Sequence, residues 1–246
     1  YGFRMLGLFM VLPVLALYQH QYAGASPLLL GLALGIYGLT QAVLQIPLGL
    51  LSDKIGRRPV IVAGLLMFVL GSLVAALADT MIGLVIGRGL QGMGAIASTL
   101  MAMVTDLTSE EKRTVAMASI GASIGLSFIL AMIVGPLVAA AMGLSGIFWL
   151  TALLGVAGIG IFLRFVPNVV SSHKNRETRV DFSQIGSLLR EPTLMRLNVG
   201  VFALHLALMA AFVVIPDILA NELGLGSDQL WWVYLALLGG GFVLMI

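Results

Sequence analysis

Apolar residues run along this chain in blocks of about twenty, the length a helix needs to span the hydrocarbon core of a bilayer. Eight such blocks are legible, at roughly 2–20, 28–51, 60–78, 81–105, 114–142, 147–166, 197–216 and 230–246. Each is read as a membrane-spanning helix, the eighth running off the end of the chain. The breaks carry turn chemistry: Gly24 to Pro27, Ser52 to Pro59, Asp79–Thr80 and Gly143 to Gly146. Connections this short make consecutive helices antiparallel neighbours. One long polar stretch, 167–196, separates the six spans of 1–166 from 197–246. Within it Phe182, Ile185, Leu188 and Leu189 recur at helical spacing beside Arg190. That pattern predicts a short amphipathic helix on the membrane surface, with an unstructured tether as the alternative for the first part of the stretch.

Composition supports the same class. Of 246 residues, 60% are hydrophobic and only 10% charged, and the mean hydropathy is +1.08. Soluble domains carry roughly a quarter charged residues, so a water-soluble surface cannot be built here. With no cysteine, a disulfide framework, a thiol nucleophile and thiolate metal sites are excluded. His20, His173 and His205 are far apart, and no metal site is predicted. The chain opens directly into an apolar run with only Arg4 ahead of it, as a first membrane helix clipped at its start would. Arg4 itself falls either in the membrane or at its edge.

The basic residues set an orientation. Lys54, Arg57 and Arg58 follow span 2, Lys112 and Arg113 follow span 4, and Lys174, Arg176, Arg179, Arg190 and Arg196 follow span 6. The loops after spans 1, 3, 5 and 7 hold no Lys or Arg; their acids are Asp79, Glu222 and Asp228. By the positive-inside rule the even loops and the N-terminus are cytoplasmic. Six helices, a basic linker and further helices is the layout of a transporter built from two six-helix halves.

The loop between spans 2 and 3 reads GLLSDKIGRRPVI. Gly49 permits close helix approach. Asp53 and Arg57 are four apart and within mutual reach on a helix or tight turn. Gly56 allows a backbone closed to other residues, and Pro59 stands at a helix start, where its missing N–H is not needed. The loop closely resembles motif A of the major facilitator superfamily, matched by Gly49, Asp53, Gly56, Arg57 and Arg58, with Lys54 as its first basic residue. The resemblance implies a latch that holds the two halves together in the outward-open state, its roles falling on Asp53, Arg57 and Asp106. The alternative is that Arg57 and Arg58 merely anchor the helices.

Two further stretches carry the resemblance. Arg88, Gln91, Gly92 and Gly94 in IGRGLQGMGAI are similar to motif B, whose arginine is assigned to proton coupling or to organising the cavity. An arginine inside an apolar span needs a partner or a watery cavity, and satisfaction by carbonyls and neighbouring helices is the other reading of Arg88. Gly87, Gly89 and Gly92 also spell a dinucleotide fingerprint, rejected because no strand precedes it and it lies within a span. On span 5, Gly135–Pro136 resembles motif C of the antiporters, although Ala122, Ala131, Ala139 and Ala140 replace its other glycines; a packing kink explains the pair nearly as well. The resemblance covers the whole chain and is to the drug:proton antiporter branch. It implies an all-α membrane protein with a major facilitator fold: an N-terminal six-helix half, the linker, helix 7 and part of helix 8, the C-terminal half being truncated.

A substrate cavity between halves needs polar lining. Tyr37, Gln41 and Gln45 make one polar stripe on span 2. Ser119 and Ser123, with Ser127, make another on span 5, where small-residue packing is the alternative. His205 lies mid-span in helix 7, titratable or simply hydrogen-bonded. The expected function is proton-coupled export of small lipophilic or drug-like molecules by alternating access, with a symporter or uniporter of a polar solute as the alternative. The expected partners are a small-molecule substrate, protons and the lipid bilayer of a bacterial inner membrane. The protein is expected to be a monomer that uses the proton gradient, no cofactor and no nucleic acid. No intramembrane enzyme is expected: metalloprotease, serine-nucleophile and phosphate-loop motifs are missing.

Overall fold

The computed structural model describes residues 1–167, 190–226 and 229–245. The amphipathic segment expected around Phe182–Leu189 lies outside the described residues. Nine helical segments follow one another among those described, the seventh of them two helices joined at Gly143: α1 (Gly2–Phe9), α2 (Leu15–Tyr18), α3 (Pro27–Ile55), α4 (Arg57–Ala76), α5 (Met81–Met93), α6 (Ala97–Leu107), α7 (Glu110–Phe165), α8 (Pro192–Asn221) and α9 (Leu230–Met245). A 3₁₀ turn, Gln19–Gln21, extends α2. By length and composition, Pro27–Ile55, Arg57–Ala76, Met81–Leu107, Glu110–Phe165 and Pro192–Asn221 can cross a membrane.

The longest of these is a hairpin. Gly143 takes φ 68° in the middle of α7, a left-handed value that glycine adopts without steric cost. The contacts on either side fix opposite directions. Before the turn, Ser127 Oγ donates to the Gly2 carbonyl (3.0 Å); after it, Thr151 Oγ1 donates to the Gly7 carbonyl (3.2 Å). The second arm runs antiparallel to α4, tied at one end by Ser145 Oγ to the Ala76 carbonyl (2.5 Å). At the other end Arg58 donates to the Leu163 carbonyl (2.8 Å).

Two spans expected to be continuous are broken. Span 1 opens between α1 and α2 because Pro13 has no N–H to give and its ring clashes with a helical carbonyl four residues back. Met10, Val11, Leu12 and Val14 remain buried there. Span 4 opens between α5 and α6, where Gly94 leaves helical geometry with ψ 42°. A Cβ on Gly94 would strike the Gly64 carbonyl of α4, so the break lets two backbones touch. Pro47, Pro136 and Pro216, by contrast, lie inside helices that continue past them.

Ordinary capping starts the helices at the end remote from the basic loops. Ser26 Oγ accepts from the Leu29 N–H (3.3 Å), and Thr80 Oγ1 accepts from the Gly83 N–H (3.1 Å), each filling an orphan donor. These two connections are clasped together: the Ala23 N–H donates to the Asp79 carbonyl and the Met81 N–H to the Ala23 carbonyl, both at 3.0 Å. Burial, and then the neighbouring Asp79 carboxylate, push the Tyr22 hydroxyl up to about 12, so it stays neutral beside that clasp.

Lipid offers little hydrophobic drive for helices to meet, so close backbone approach at small residues must hold them. Gly71 and Gly87 serve the α4–α5 contact, where an added Cβ would come within 2.7 Å of the Gly87 carbonyl oxygen or 2.6 Å of the Ala75 nitrogen. Gly135 seats the first arm of α7 on the Met10 backbone at the break in span 1. Helices α8 and α9 join the same core through Phe212, Leu230 and Tyr234, with Tyr234 donating to the Pro13 carbonyl (3.3 Å). Leu66, Ile82, Ile86 and Leu153 stay outside, more than half exposed, on faces suited to acyl chains.

Candidate functional site

The loop between α3 and α4 closes on Gly56, which takes φ 100° and serves at once as the end of one helix and the start of the next. Its N–H caps the Ser52 carbonyl (3.1 Å). The turn swings Arg57 back over the last turn of α3. There it pairs with Asp53 and donates to Ser52 Oγ (2.7 Å), and Ser52 in turn donates to the Gly49 carbonyl (2.6 Å). The other side of the guanidinium reaches α6, with Nε 3.2 Å from Asp106 Oδ2. A carboxylate near a helix C-terminus opposes the helix dipole, and Arg57 offsets that charge. Asp53 and Asp106 remain 40% and 34% exposed. Pairs this wet are worth about 0–1 kcal/mol each. The triad can therefore be made and broken at little cost. Lys54 is exposed beside it. Gly49 lets α6 approach, a Cβ there meeting Ser98 Oγ at 3.2 Å, while Ser98 donates to the Gln45 carbonyl (2.8 Å).

Arg88, 1% exposed, heads a chain of hydrogen bonds through the bundle. Its Nε donates to the Ala33 carbonyl of α3 (3.2 Å) and a terminal nitrogen donates to Gln91 Oε1 (2.9 Å). Gln91 Nε2 donates to Ser72 Oγ of α4 (2.8 Å), and Ser72 donates to the Phe68 carbonyl (2.7 Å). The Arg88 partners are thus carbonyl, amide and the Tyr37 ring, whose centroid lies 5.0 Å from the guanidinium carbon. Gly92, one turn on, packs on the Tyr37 carbonyl and Thr40.

A second buried arginine stands at the same ring. Arg4, 2% exposed, donates to the Tyr37 hydroxyl (2.7 Å) and to Gln41 Oε1 (2.9 Å), and Tyr37 donates to Gln41 (2.8 Å). The sequence pattern alone does not single out Arg4 as a site residue. Gly7, three residues on and jammed against Thr151, marks α1 as tightly packed and is the signal that could have found it.

The six expected cavity residues do not converge. Tyr37 and Gln41 belong to the Arg4 cluster. Gln45 lines an open groove of about 380 Å³ between α3 and α6 that also holds Asp53, Arg57 and Ser98. Ser123 lines a mostly apolar cavity of about 530 Å³ among α1, α6 and both arms of α7, with Leu6, Met103, Leu126 and Phe162. Ser119 is exposed and bonds its own helix at the Val115 carbonyl. His205 is exposed, its Nδ1 2.9 Å from the Val201 carbonyl. Small-residue packing accounts for Ser127, bonded to the Gly2 carbonyl; a residue pattern along one helix does not reveal which neighbours turn toward it.

The family model described as Major Facilitator Superfamily matches residues 1–246. The chain belongs to the Major Facilitator Superfamily. Among individual members, it is 49% identical over 96% of its length to the inner membrane transport protein YajR of Escherichia coli K12, covering 52% of that protein. It is 39% identical over 94% of its length to an uncharacterized transporter of Buchnera aphidicola, covering 60% of it. The class B tetracycline resistance protein of Escherichia coli is 28% identical over 71% of the chain, which covers 44% of that protein. The chain thus spans about half the length of these relatives.

Proposed function

We propose that this chain is the N-terminal half, the linker and the start of the second half of a proton-coupled exporter of small lipophilic organic molecules. The observation that carries the reading is the Asp53–Arg57–Asp106 triad, a weak, wet tie between three membrane crossings of the kind that can bias one conformational state over another. The likeness to a tetracycline resistance protein supports a drug-like substrate, and Gly135–Pro136 in α7 supports antiport. The basic residues at the α3–α4 and α6–α7 connections support a cytoplasmic position for that end, with the N-terminus on the same side, in a bacterial inner membrane. In this reading the protein acts as a monomer, with the proton gradient as energy source and no cofactor.

Cells expressing the full-length protein are expected to accumulate less of a fluorescent lipophilic cation than cells without it, and an uncoupler is expected to erase the difference. Arg57→Ala, at equal expression, is expected to reduce the effect several-fold. Equal accumulation with and without the protein, across a panel of lipophilic compounds, would contradict the export reading.

A further inference from the structure

Arg88 is held by a partner that has itself to be held. A guanidinium only donates, so Gln91 must present Oε1 to it (2.9 Å). That turns the amide nitrogen of Gln91 the other way, toward α4, where Ser72 Oγ receives it (2.8 Å). Having accepted there, the Ser72 hydroxyl still has its own proton to give, and it goes to the Phe68 carbonyl (2.7 Å), one turn back on α4. Each bond fixes the direction of the next, and only one assignment of donors and acceptors satisfies all three. Ser72 and Gln91 are 0% exposed and Arg88 1%, so bulk solvent does not reach the series to replace a lost bond.

Ser72 is brought into reach by its neighbour. A Cβ on Gly71 would strike the Gln91 backbone nitrogen and come within 2.7 Å of the Gly87 carbonyl oxygen. Glycine at 71 therefore sets α4 against α5 closely enough for a side chain as short as serine to meet Gln91. The stretch that carries Arg88 and Gln91 does not contain Ser72, which stands on the preceding helix. We propose that Ser72 is a positioning residue for Arg88. Its oxygen keeps the Gln91 amide from turning over. Without it the Gln91 nitrogen has no acceptor, and the amide no longer favours the orientation that gives Oε1 to the guanidinium. Arg88 then keeps the Ala33 carbonyl and the Tyr37 ring but loses its tie toward α4. The exporter reading enters only in what Arg88 is used for: there Ser72 keeps the guanidinium in its working place without itself meeting substrate.

The test is nitrogen-15 NMR of the arginine side chains in the purified full-length protein in detergent. A guanidinium bonded on two sides and shut away from solvent gives a slowly exchanging Nε–H signal, and the signal lost in Arg88→Met belongs to Arg88. Ser72→Ala is expected to shift that signal and to speed its exchange with solvent about tenfold or more. Ser72→Thr, whose hydroxyl can make the same bond to a carbonyl one turn back, is expected to hold the signal near its place. Ser98→Ala, which removes a serine-to-carbonyl bond between α6 and α3, is expected to leave it unmoved. If Ser72→Ala is not recovered folded, Ser72→Cys, whose sulfur is only a weak acceptor, takes its place with a shift in the same direction. An Arg88 signal unchanged by loss of the Ser72 oxygen would overturn the proposal, and so would the lack of any slowly exchanging signal that Arg88→Met removes. In transport, Ser72→Ala at equal expression is expected to cause a several-fold loss, and to add nothing on the Arg88→Met background; an equal further loss there would also overturn the proposal. The NMR signature needs no substrate, so its failure leaves the export reading standing, and failed export leaves the positioning standing.

Discussion

Gly92→Val is expected to give a protein that melts many degrees below the unaltered one or is not recovered folded. A Cβ at position 92 would overlap Thr40 Oγ1 and the Tyr37 carbonyl oxygen and stand 2.9 Å from the Tyr37 carbonyl carbon. The Tyr37 carbonyl belongs to the helical backbone of α3 and cannot yield, and Thr40 Oγ1 stands 2.9, 3.1 and 3.0 Å from the Ile36, Tyr37 and Gly89 carbonyls, to one of which it donates its single proton. Helix α5 must therefore move away from α3. Overpacking costs about 1–3 kcal/mol in well-packed cores, and a β-branched side chain against backbone falls at the upper end. The same displacement would pull Arg88 off the Ala33 carbonyl. Gly160→Ala is the control: its Cβ would meet nothing within 4 Å, and its melting temperature is expected to be unchanged or slightly raised, as alanine favours the helix. Thermal unfolding in detergent, followed by size exclusion or tryptophan fluorescence, reads both. An unchanged melting temperature for Gly92→Val would mean that α3 and α5 are not packed as described.

Arg88→Met is expected to separate fold from function: a melting temperature near that of the unaltered protein, with transport reduced about tenfold or more. The reason lies in the balance of its contacts. A fully buried guanidinium without a carboxylate carries a desolvation cost of several kcal/mol, and its removal outweighs the roughly 1–3 kcal/mol of leaving Gln91 Oε1 without its donor. The introduced thioether side chain would leave Gln91 its bond to Ser72 and would lie against the Tyr37 ring. In the proposed function, a charge at such cost within a membrane span serves transport rather than stability. If Arg88 were only a strut between α3, α4 and α5, Arg88→Met would instead lower the melting temperature and reduce transport only in step with the folded fraction. Arg88→Lys, which keeps the charge but loses the planar fork, is expected to fall between the two.

How much of this was legible in the sequence depends on whether the determinants are local. The motif A triad was readable because Asp53, Gly56 and Arg57 lie within one turn, and the spacing alone brings carboxylate and guanidinium together; Asp106 came only through the family resemblance. The hairpin at Gly143 was announced by a glycine pair in an apolar run. The break in span 1 was written in Pro13, but Pro47, Pro136 and Pro216 are borne inside helices, so proline by itself does not decide. The break at Gly94 depends on the backbone of Gly64, thirty residues earlier in the chain, and no local pattern carries that. The positions of the expected cavity residues among the described helices were not legible for the same reason. Periodicity fixes a face of one helix, whereas Tyr37 and Gln41 are claimed by Arg4 on another, and Ser119 and His205 point out to surfaces that no pattern marked.

The most direct measurement on the central claim is proton movement in everted vesicles containing the full-length protein, with an imposed gradient reported by a pH-sensitive dye. Addition of a lipophilic substrate is predicted to release protons from the vesicle lumen, with Arg57→Ala and Arg88→Met impaired at equal expression. Substrate uptake with no proton release, or release identical in vesicles lacking the protein, would contradict a proton-coupled exporter.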